Sequence, residues 1–596
     1  MDALTSQLAA VFQWAYPSPS ERAYLDLPNL GLFFLPMLLH TISIHLLLRH
    51  STRPFANALR TGVLLPLNVV FSIRAGLGCI LRPVVMGPNP AGKGAASYLM
   101  YTTGGEVTEG GFQHFHVAMG VYSAYSILRA LEWGLAREPP RLSKDVLDLL
   151  REEKHTTEKG TTTTTGGKGG EKSVEIAPSF LPTFVPGTYR LLELDLLSNM
   201  RGIGWEWGIP HTPDHPPTLH PTPGSPEAAA LQNRRATLLR SRFKNALIFF
   251  LLADVVDSIL KERAIFGPRA NVGGLLRLGG AANESMRYEE QHPALLSWIL
   301  TLLAGLIIPI SMNGTFYLFS ALALLPAHLF PDSEMVWKWT GGDPAGWAPA
   351  LFGSPHAPRD LRTLWGRDWH ALFRRPFLVI AYQPVNEALK AIGLGVPSSS
   401  TQENAKTKGN GNGNGKQITN GGKNVQHKSH EGFWRGTPGK ILRRALSVLS
   451  VFVVSGLMHE AGQLAMARTP AERDSRRFFG RGEPIVVFQP PGASGIAVEV
   501  AYVDRGGRAV LFFLMQGVGC VFEDGVERAF VALRGKGRGG GLLVRLVTWA
   551  WVAGWIFGWG HYVGKTWFRM GIAQGVISFR ATSALAHMIV NAFSRA

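Results

Sequence analysis

The chain has 596 residues, 46% of them hydrophobic and 17% charged, with a net charge of +18. That apolar content excludes a disordered or collagen-like chain, and two cysteines, Cys79 and Cys520, both in apolar segments, exclude a disulfide framework and a cysteine zinc site. The basic residues are spread over loops between apolar segments and no nucleic-acid motif is visible, so the charge is read as attraction to anionic membrane lipids, with a phosphate-bearing cofactor as a further use and no nucleic acid as partner.

The N-terminus, MDALTSQLAAVFQWAYPSPS, lacks a basic n-region and carries Asp2. No cleavable signal is expected there, and the first span serves as the insertion signal. Spans are read at Leu30–Leu48, at Gly62–Leu81 (interrupted by Pro66 and Arg74) and at Phe115–Leu135, all within an N-terminal region of residues 1–136. Residues 137–180 turn charged and then low-complexity (TTTTTGGKGG), a disordered loop by composition. A region over 181–396 follows.

Within it, Leu181–Pro210 reads as an interfacial or re-entrant helix. Leu192 and Leu196 share a face, Glu193 and Asp195 point elsewhere, and Trp205 and Trp207 suit a membrane–water interface. His211, His215 and His220 sit among prolines, a poor rigid cage, and no metal is expected. Asn245–Leu260 is a short span with Asp254 and Asp257. Ala294–Leu329 is too long for one crossing, and a break around Pro309–Gly314 divides it into two. Leu361–Arg375 reads as an amphipathic helix on the bilayer surface. Trp365, Trp369 and Leu372 form one face, while Gly366, Arg367, His370 and Arg374 cluster on another. On the pattern alone a plain basic interfacial anchor is favoured over a binding role.

Residues 397–432 contain GNGNGNG, a disordered insert, and the C-terminal region 433–596 begins beyond it. Its key stretch is Ala445–Met466, ALSVLSVFVVSGLMHEAGQLAM. At about 1.5 Å per residue, His459 lies roughly 21 Å along this segment, inside a hydrocarbon core about 30 Å thick. Ser455 and Gln463 lie four residues either side of it, and Gly456 and Gly462 three. Two readings stand: a histidine with chemistry to do, approached closely over the glycines, or a packing histidine in a small-residue seam. A strand-like piece at Ile485–Phe488 is placed in a short hairpin. Val510–Phe530 presents Gln516, Gly519, Cys520 and Glu523 on one face. Glu523 is read either as functional or as the partner of a basic residue. Leu542–Val563 spaces Trp551, Trp555 and Trp559 by four, a packing and aromatic-belt pattern, and Ile572–Val590 is a last span. The expected fold is an all-α polytopic membrane protein with about eight to ten transmembrane helices and added interfacial or re-entrant helices.

LWGRDWH (Leu364–His370) and SGLMHE (Ser455–Glu460) resemble the paired signatures of the membrane-bound O-acyltransferase superfamily, most closely its wax-synthase-like branch and the fungal members in it. RGIGWEW (Arg201–Trp207) and FFLMQGVGCVFED (Phe512–Asp524) are similar to further segments of that branch. Leu364 and Asp368 depart from its pattern, where an aromatic and a basic residue are usual. The resemblance implies transfer of an acyl group, acetyl or long-chain, from acyl-coenzyme A to the hydroxyl of a lipophilic alcohol. The product is a wax ester or an acylated terpenoid or polyketide. It also implies no tightly bound cofactor and a multi-pass location in the endoplasmic reticulum membrane. It makes His459 the general base and gives His370 the thioester or the developing oxyanion. Arg367 and Arg374, with Arg375, then meet the coenzyme phosphates, Trp365 and Trp369 bind substrate or coenzyme, and Ser455, Gln516 and Glu523 orient the acceptor. A transporter path lined by His459 and Glu523, or a non-catalytic scaffold, is the rival reading. A transporter predicts internal repeats with broken helices in matching positions, and none is detected.

Overall fold

The computed structural model describes residues 2–18, 21–80, 113–149, 151, 192–216, 221–261, 293–333, 335–336, 343–352, 360–395, 437–467, 484–487, 499–502, 506–534 and 542–569. Five helices among them are long and apolar enough to cross a membrane: Leu30–His50, Pro54–Leu77, Gly305–Leu329, Thr437–Met466 and Arg508–Ala529. Gln113–Leu135, Pro226–Lys261 and Leu542–Arg569 match them in length without being counted among those five. Strand structure among the described residues is confined to two small pairs. Ala23–Tyr24 runs parallel to Cys79–Ile80, and Pro484–Val487 pairs antiparallel with Glu499–Tyr502, where a hairpin was expected from the sequence. The fold is all-α and multi-pass in character. The span read at Ile572–Val590 and the insert 397–432 lie outside the described residues.

Thr437–Met466, which carries His459, packs between Arg508–Arg534 on one side and Gln113–Leu135 on the other. Its glycines explain how. A Cβ on Gly456 would come within 2.5 Å of the Val510 Cα, and one on Gly462 within 3.2 Å of Val117 and Val121. From the opposite side, a Cβ on Gly120 would lie 2.3 Å from the Ala461 carbonyl oxygen. The glycines flanking His459 thus let three helix backbones touch. Of the two sequence readings of these glycines, the close packing is that of the small-residue seam and not of a path cleared to the imidazole.

The N-terminal helices are joined by a closed polar ring. The Asn68 amide donates to His40 Nδ1 (2.9 Å), which makes His40 Nε2 the protonated nitrogen and the donor to Ser126 Oγ (2.9 Å). Ser126 and Ser72 share a 2.7 Å hydrogen bond, and the Ser72 hydroxyl donates to Asn68 Oδ1 at 3.4 Å. All four side chains are buried, and each meets another member of the ring.

Four expectations are corrected. Pro293–Leu329 is one continuous helix of 37 residues, about 55 Å long at 1.5 Å per residue, with Pro309 and Pro326 inside it. The missing Pro309 N–H is borne without a break, and the Asn313 side chain donates to the Pro309 carbonyl at 2.9 Å. Second, the start of the stretch read as a disordered loop is folded. Val146 and Leu142 are buried, and Leu142 bridges to Trp205. Third, Leu192–Ser198 is a short helix whose Asp195 faces inward. Its carboxylate accepts from Trp205 Nε1 at 2.7 Å, so Trp205 is a core residue and not an interfacial one. An acid read as pointing away from the apolar face is buried because it has a donor to hold. Asn245–Leu260, read as a separate short span, is the C-terminal part of Pro226–Lys261.

Candidate active site

The segment bearing LWGRDWH is not a regular helix. It winds as a π-helix over Thr363–Trp369, tightens to a 3-10 turn over His370–Phe373, and passes through a second π stretch, Leu378–Tyr382, before the α-helix Gln383–Ala391. The His370 backbone N–H donates to the Trp365 carbonyl, five residues back. That wider winding moves i and i+5 onto one side. Trp365 and His370 therefore share a face, with ring centroids 5.4 Å apart, and both are buried. The surface-helix expectation, which put His370 with the arginines, applied a 3.6-residue period where the chain does not follow it.

The segment is pinned at both ends. Glu523 accepts from the Leu361 N–H (3.0 Å) and the Arg362 N–H (3.3 Å), satisfying donors that the first turn leaves open, and it also accepts from Trp551 Nε1 at 2.8 Å. Further along, Arg375 pairs with the buried Glu132, which also holds Arg129 at 2.6 Å. At the far end Arg443 donates to the Leu394 carbonyl at 3.0 Å.

So held, His370 meets the His459 helix at Ser455. His370 Nε2 lies 3.2 Å from Ser455 Oγ, and His459 Nδ1 lies 2.7 Å from the Ser455 carbonyl oxygen. A carbonyl only accepts, so His459 carries its proton on Nδ1 and its Nε2 presents a lone pair. Nothing among the described residues hydrogen-bonds that Nε2. The Phe513 ring lies against both imidazoles, 4.2 Å from His459 and 6.4 Å from His370, and Trp567 stacks on His459 at 6.2 Å. The surround is apolar: Leu361, Trp365, Phe452, Phe513, Cys520 and Val552 form one cluster.

Gln516 sits one turn beyond Phe513, fully buried. Trp365 Nε1 donates to its Oε1 at 3.3 Å. Indole nitrogen is only a donor, so the amide orientation follows: oxygen toward Trp365, and NH2 away from it. That NH2 has no partner among the described residues, nor has the NH2 of Gln463, the next turn along from His459. An unmet buried donor costs about 1–3 kcal/mol.

The other residues singled out in the sequence fall in different places. Trp369 stacks on Phe352 at 5.0 Å and meets Trp365 edge-on at 6.2 Å. Arg367 and Arg374 are exposed, whereas Arg375, also assigned to the coenzyme, is spent on Glu132. Glu523 binds the start of the motif segment and not His459. The His211 Nδ1–H donates to the Asp145 carboxylate at 2.6 Å, and His220 lies outside the described residues. No group of three or more His, Cys, Asp or Glu side chains placed to hold a metal occurs among the described residues. Phe513, Trp567 and Glu132 went unnoticed in the sequence. Phe513 had a signal, since it lies three residues before Gln516 on the stripe already marked.

Two histidines joined through one serine, between helices of an all-α multi-pass protein, define a buried intramembrane site. Residues 347–403, which include Trp365 and His370, match the membrane bound O-acyl transferase family. The chain is also similar to the acetyltransferase atnC of Arthrinium sp, 26% identical over 218 residues. That alignment covers 35% of this chain and 41% of the relative, so the chain spans less than half the relative's length. The chain is thus similar to the membrane-bound O-acyltransferases over part of its length. No solved structure matches it.

Proposed function

We propose that the chain transfers an acyl group from acyl-coenzyme A to the hydroxyl of a lipophilic alcohol, in the manner of the wax-synthase-like branch. The observation that carries this reading is the hydrogen bonding of His459, with Nδ1–H spent on the Ser455 carbonyl and Nε2 left as a lone pair, while His370 reaches the Oγ of the same serine. An alcohol is a weak nucleophile until a base takes its proton as the new bond forms. His459 Nε2 takes that proton. The alcohol oxygen adds to the thioester carbonyl carbon, and the carbonyl electron pair moves onto oxygen. The tetrahedral adduct collapses to the ester and expels the coenzyme A thiolate, which recovers the proton from His459. His370, fixed against Ser455 Oγ, orients the Ser455 side of the site. The exposed Arg367 and Arg374 suit the phosphates of the coenzyme.

The relative's name supports acetyl as the acyl group, and an aromatic, apolar surround suits an acceptor that arrives through the bilayer, such as a long-chain or terpenoid alcohol. The endoplasmic reticulum membrane, where such substrates partition, is the location that goes with this reading.

The test uses full-length protein in detergent with radiolabelled acetyl- and palmitoyl-coenzyme A. The acceptor panel is hexadecanol, a diacylglycerol, a sterol and a hydroxylated terpenoid. Label is expected in an ester with wild type and is expected to fall by about 10²–10⁴-fold with His459→Ala. Equal turnover in the two proteins removes His459 as the base.

A further inference from the structure

The mechanism leaves the buried Gln516 amide unused. We propose that the Gln516 side-chain NH2 is the donor to the acyl carbonyl oxygen, and to the oxyanion that forms on it, with Trp365 as the residue that aims it. The proposal rests on the acyl-transfer reading above and assigns the oxyanion donor within it, a role the sequence had given to His370.

Four observations carry it. Gln516 is fully buried, and its NH2 meets no acceptor among the described residues. Its orientation is not free, because the Trp365 indole can only donate and so fixes Oε1 on the Trp365 side. It also belongs to the histidine site. Trp365 lies against His370 at 5.4 Å, and Phe513, one turn before Gln516, lies against His459 at 4.2 Å. Finally, His370 Nε2 is already engaged with Ser455 Oγ, whereas the Gln516 hydrogens are unspent. Gln463 is the other orphan amide nearby, but the structure gives it no donor-only partner to set its orientation.

In the reacting complex the charge balance is simple. As the alcohol oxygen bonds to the thioester carbon, the carbonyl π pair becomes the lone pair of an oxyanion. Gln516 N–H donates to that oxygen throughout and transfers no proton. When the C–S bond breaks, the pair returns to C=O and the donor holds the ester carbonyl. A donor fixed before the reaction gains most where charge develops.

The experiment compares two unreactive coenzyme A analogues on full-length protein in detergent. One keeps the acyl carbonyl but replaces the thioester sulfur by CH2. The other is the S-alkyl thioether of equal length, with no carbonyl. Affinities are measured for wild type, Gln516→Met and Gln516→Asn. Gln516→Met conserves volume and removes the donor, and Gln516→Asn draws it back by one methylene. Wild type is expected to bind the carbonyl analogue about tenfold more tightly than the thioether. Both variants lose that preference and bind the thioether as wild type does, and turnover falls by about 10²-fold at unchanged KM for the alcohol. A variant that keeps the preference, or that weakens both analogues equally, overturns the Gln516 assignment and leaves the acyl-transfer reading standing. Wild type that binds neither analogue overturns the acyl-coenzyme A reading itself, and this proposal with it. Should Gln516→Met not fold, Gln516→Asn alone decides between these outcomes.

Discussion

Two histidines within the long helices do opposite things, the buried His40 and the half-buried His459, and the difference lies in where their protons go. His40 accepts at Nδ1 from Asn68 and donates at Nε2 to Ser126, so both nitrogens are consumed by a ring that closes on itself. His459 donates once, to a backbone carbonyl of its own helix, and keeps Nε2. The two should respond differently to substitution. His40→Ala leaves Asn68 and Ser126 short of partners and is expected to lower stability by about 1–3 kcal/mol, read as a drop in melting temperature. Turnover per folded molecule should be unchanged. Ser455→Ala is the informative partner to His459→Ala. It removes the hydroxyl that holds His370 but keeps the carbonyl that holds His459. Turnover should fall by only about five- to tenfold, the equivalent of one neutral hydrogen bond. A fall as deep as that of His459→Ala would mean that the serine hydroxyl takes part in the chemistry.

At the scale of elements, what the sequence revealed depended on regular periodicity. The spans at Leu30–His50 and Thr437–Met466 were legible because apolar length alone marks them. The intramembrane histidine was legible because polar residues there stand out. The face of the LWGRDWH segment was not, since a π turn changes which residues are neighbours and leaves no mark in the hydrophobic pattern. Buried charge misled for a related reason. Glu132, Asp195 and Glu523 each sit inside because a specific donor awaits them: an arginine, an indole, or the open N–H groups of a helix start. Such partners lie 60 or more residues away, or across a turn, and spacing does not show them. The folded piece around Ser143–Asp145 belongs to the same category and gives a pH test. Partial burial raises the Asp145 carboxyl, but hydrogen bonds from Ser143 and His211 outweigh it and hold the group below the usual carboxylate range. A lowered folded value means that its stabilisation is fully present above the unfolded value, about 3.9, and is lost as pH falls through the folded one. Limited proteolysis should show residues 137–149 opening as pH drops through that window in wild type. Asp145→Asn should be cut at the same rate across it.

For the whole molecule, the question is how the two halves of the site come to face each other. His370 and His459 lie on opposite sides of the low-complexity sequence 397–432, yet the chain ends that flank it are already together. Arg443 donates to the Leu394 carbonyl, and a Cβ on Gly395, whose φ is +67°, would lie 2.6 Å from the Lys440 nitrogen. Only a residue without a side chain fits there, and glycine also accepts that backbone angle at little cost. The motif segment is fixed independently by Glu523 at its start and by Glu132 through Arg375, so nothing in the geometry of the site depends on the length of the connection. Closing a flexible loop costs only slowly more as it lengthens, about 0.6 kcal/mol per doubling. Replacing residues 399–433 by a linker of about eight glycines and serines should therefore leave turnover within about twofold of wild type and raise stability by about 1 kcal/mol. Gly395→Val, by contrast, drives a side chain into the Gly439–Lys440 backbone and should cost far more than the whole deletion, through a lower melting temperature and lost activity together. Were the deletion to abolish turnover in protein that still folds, the insert would carry a contact to substrate or to the site, and the two ends would not suffice to align the histidines.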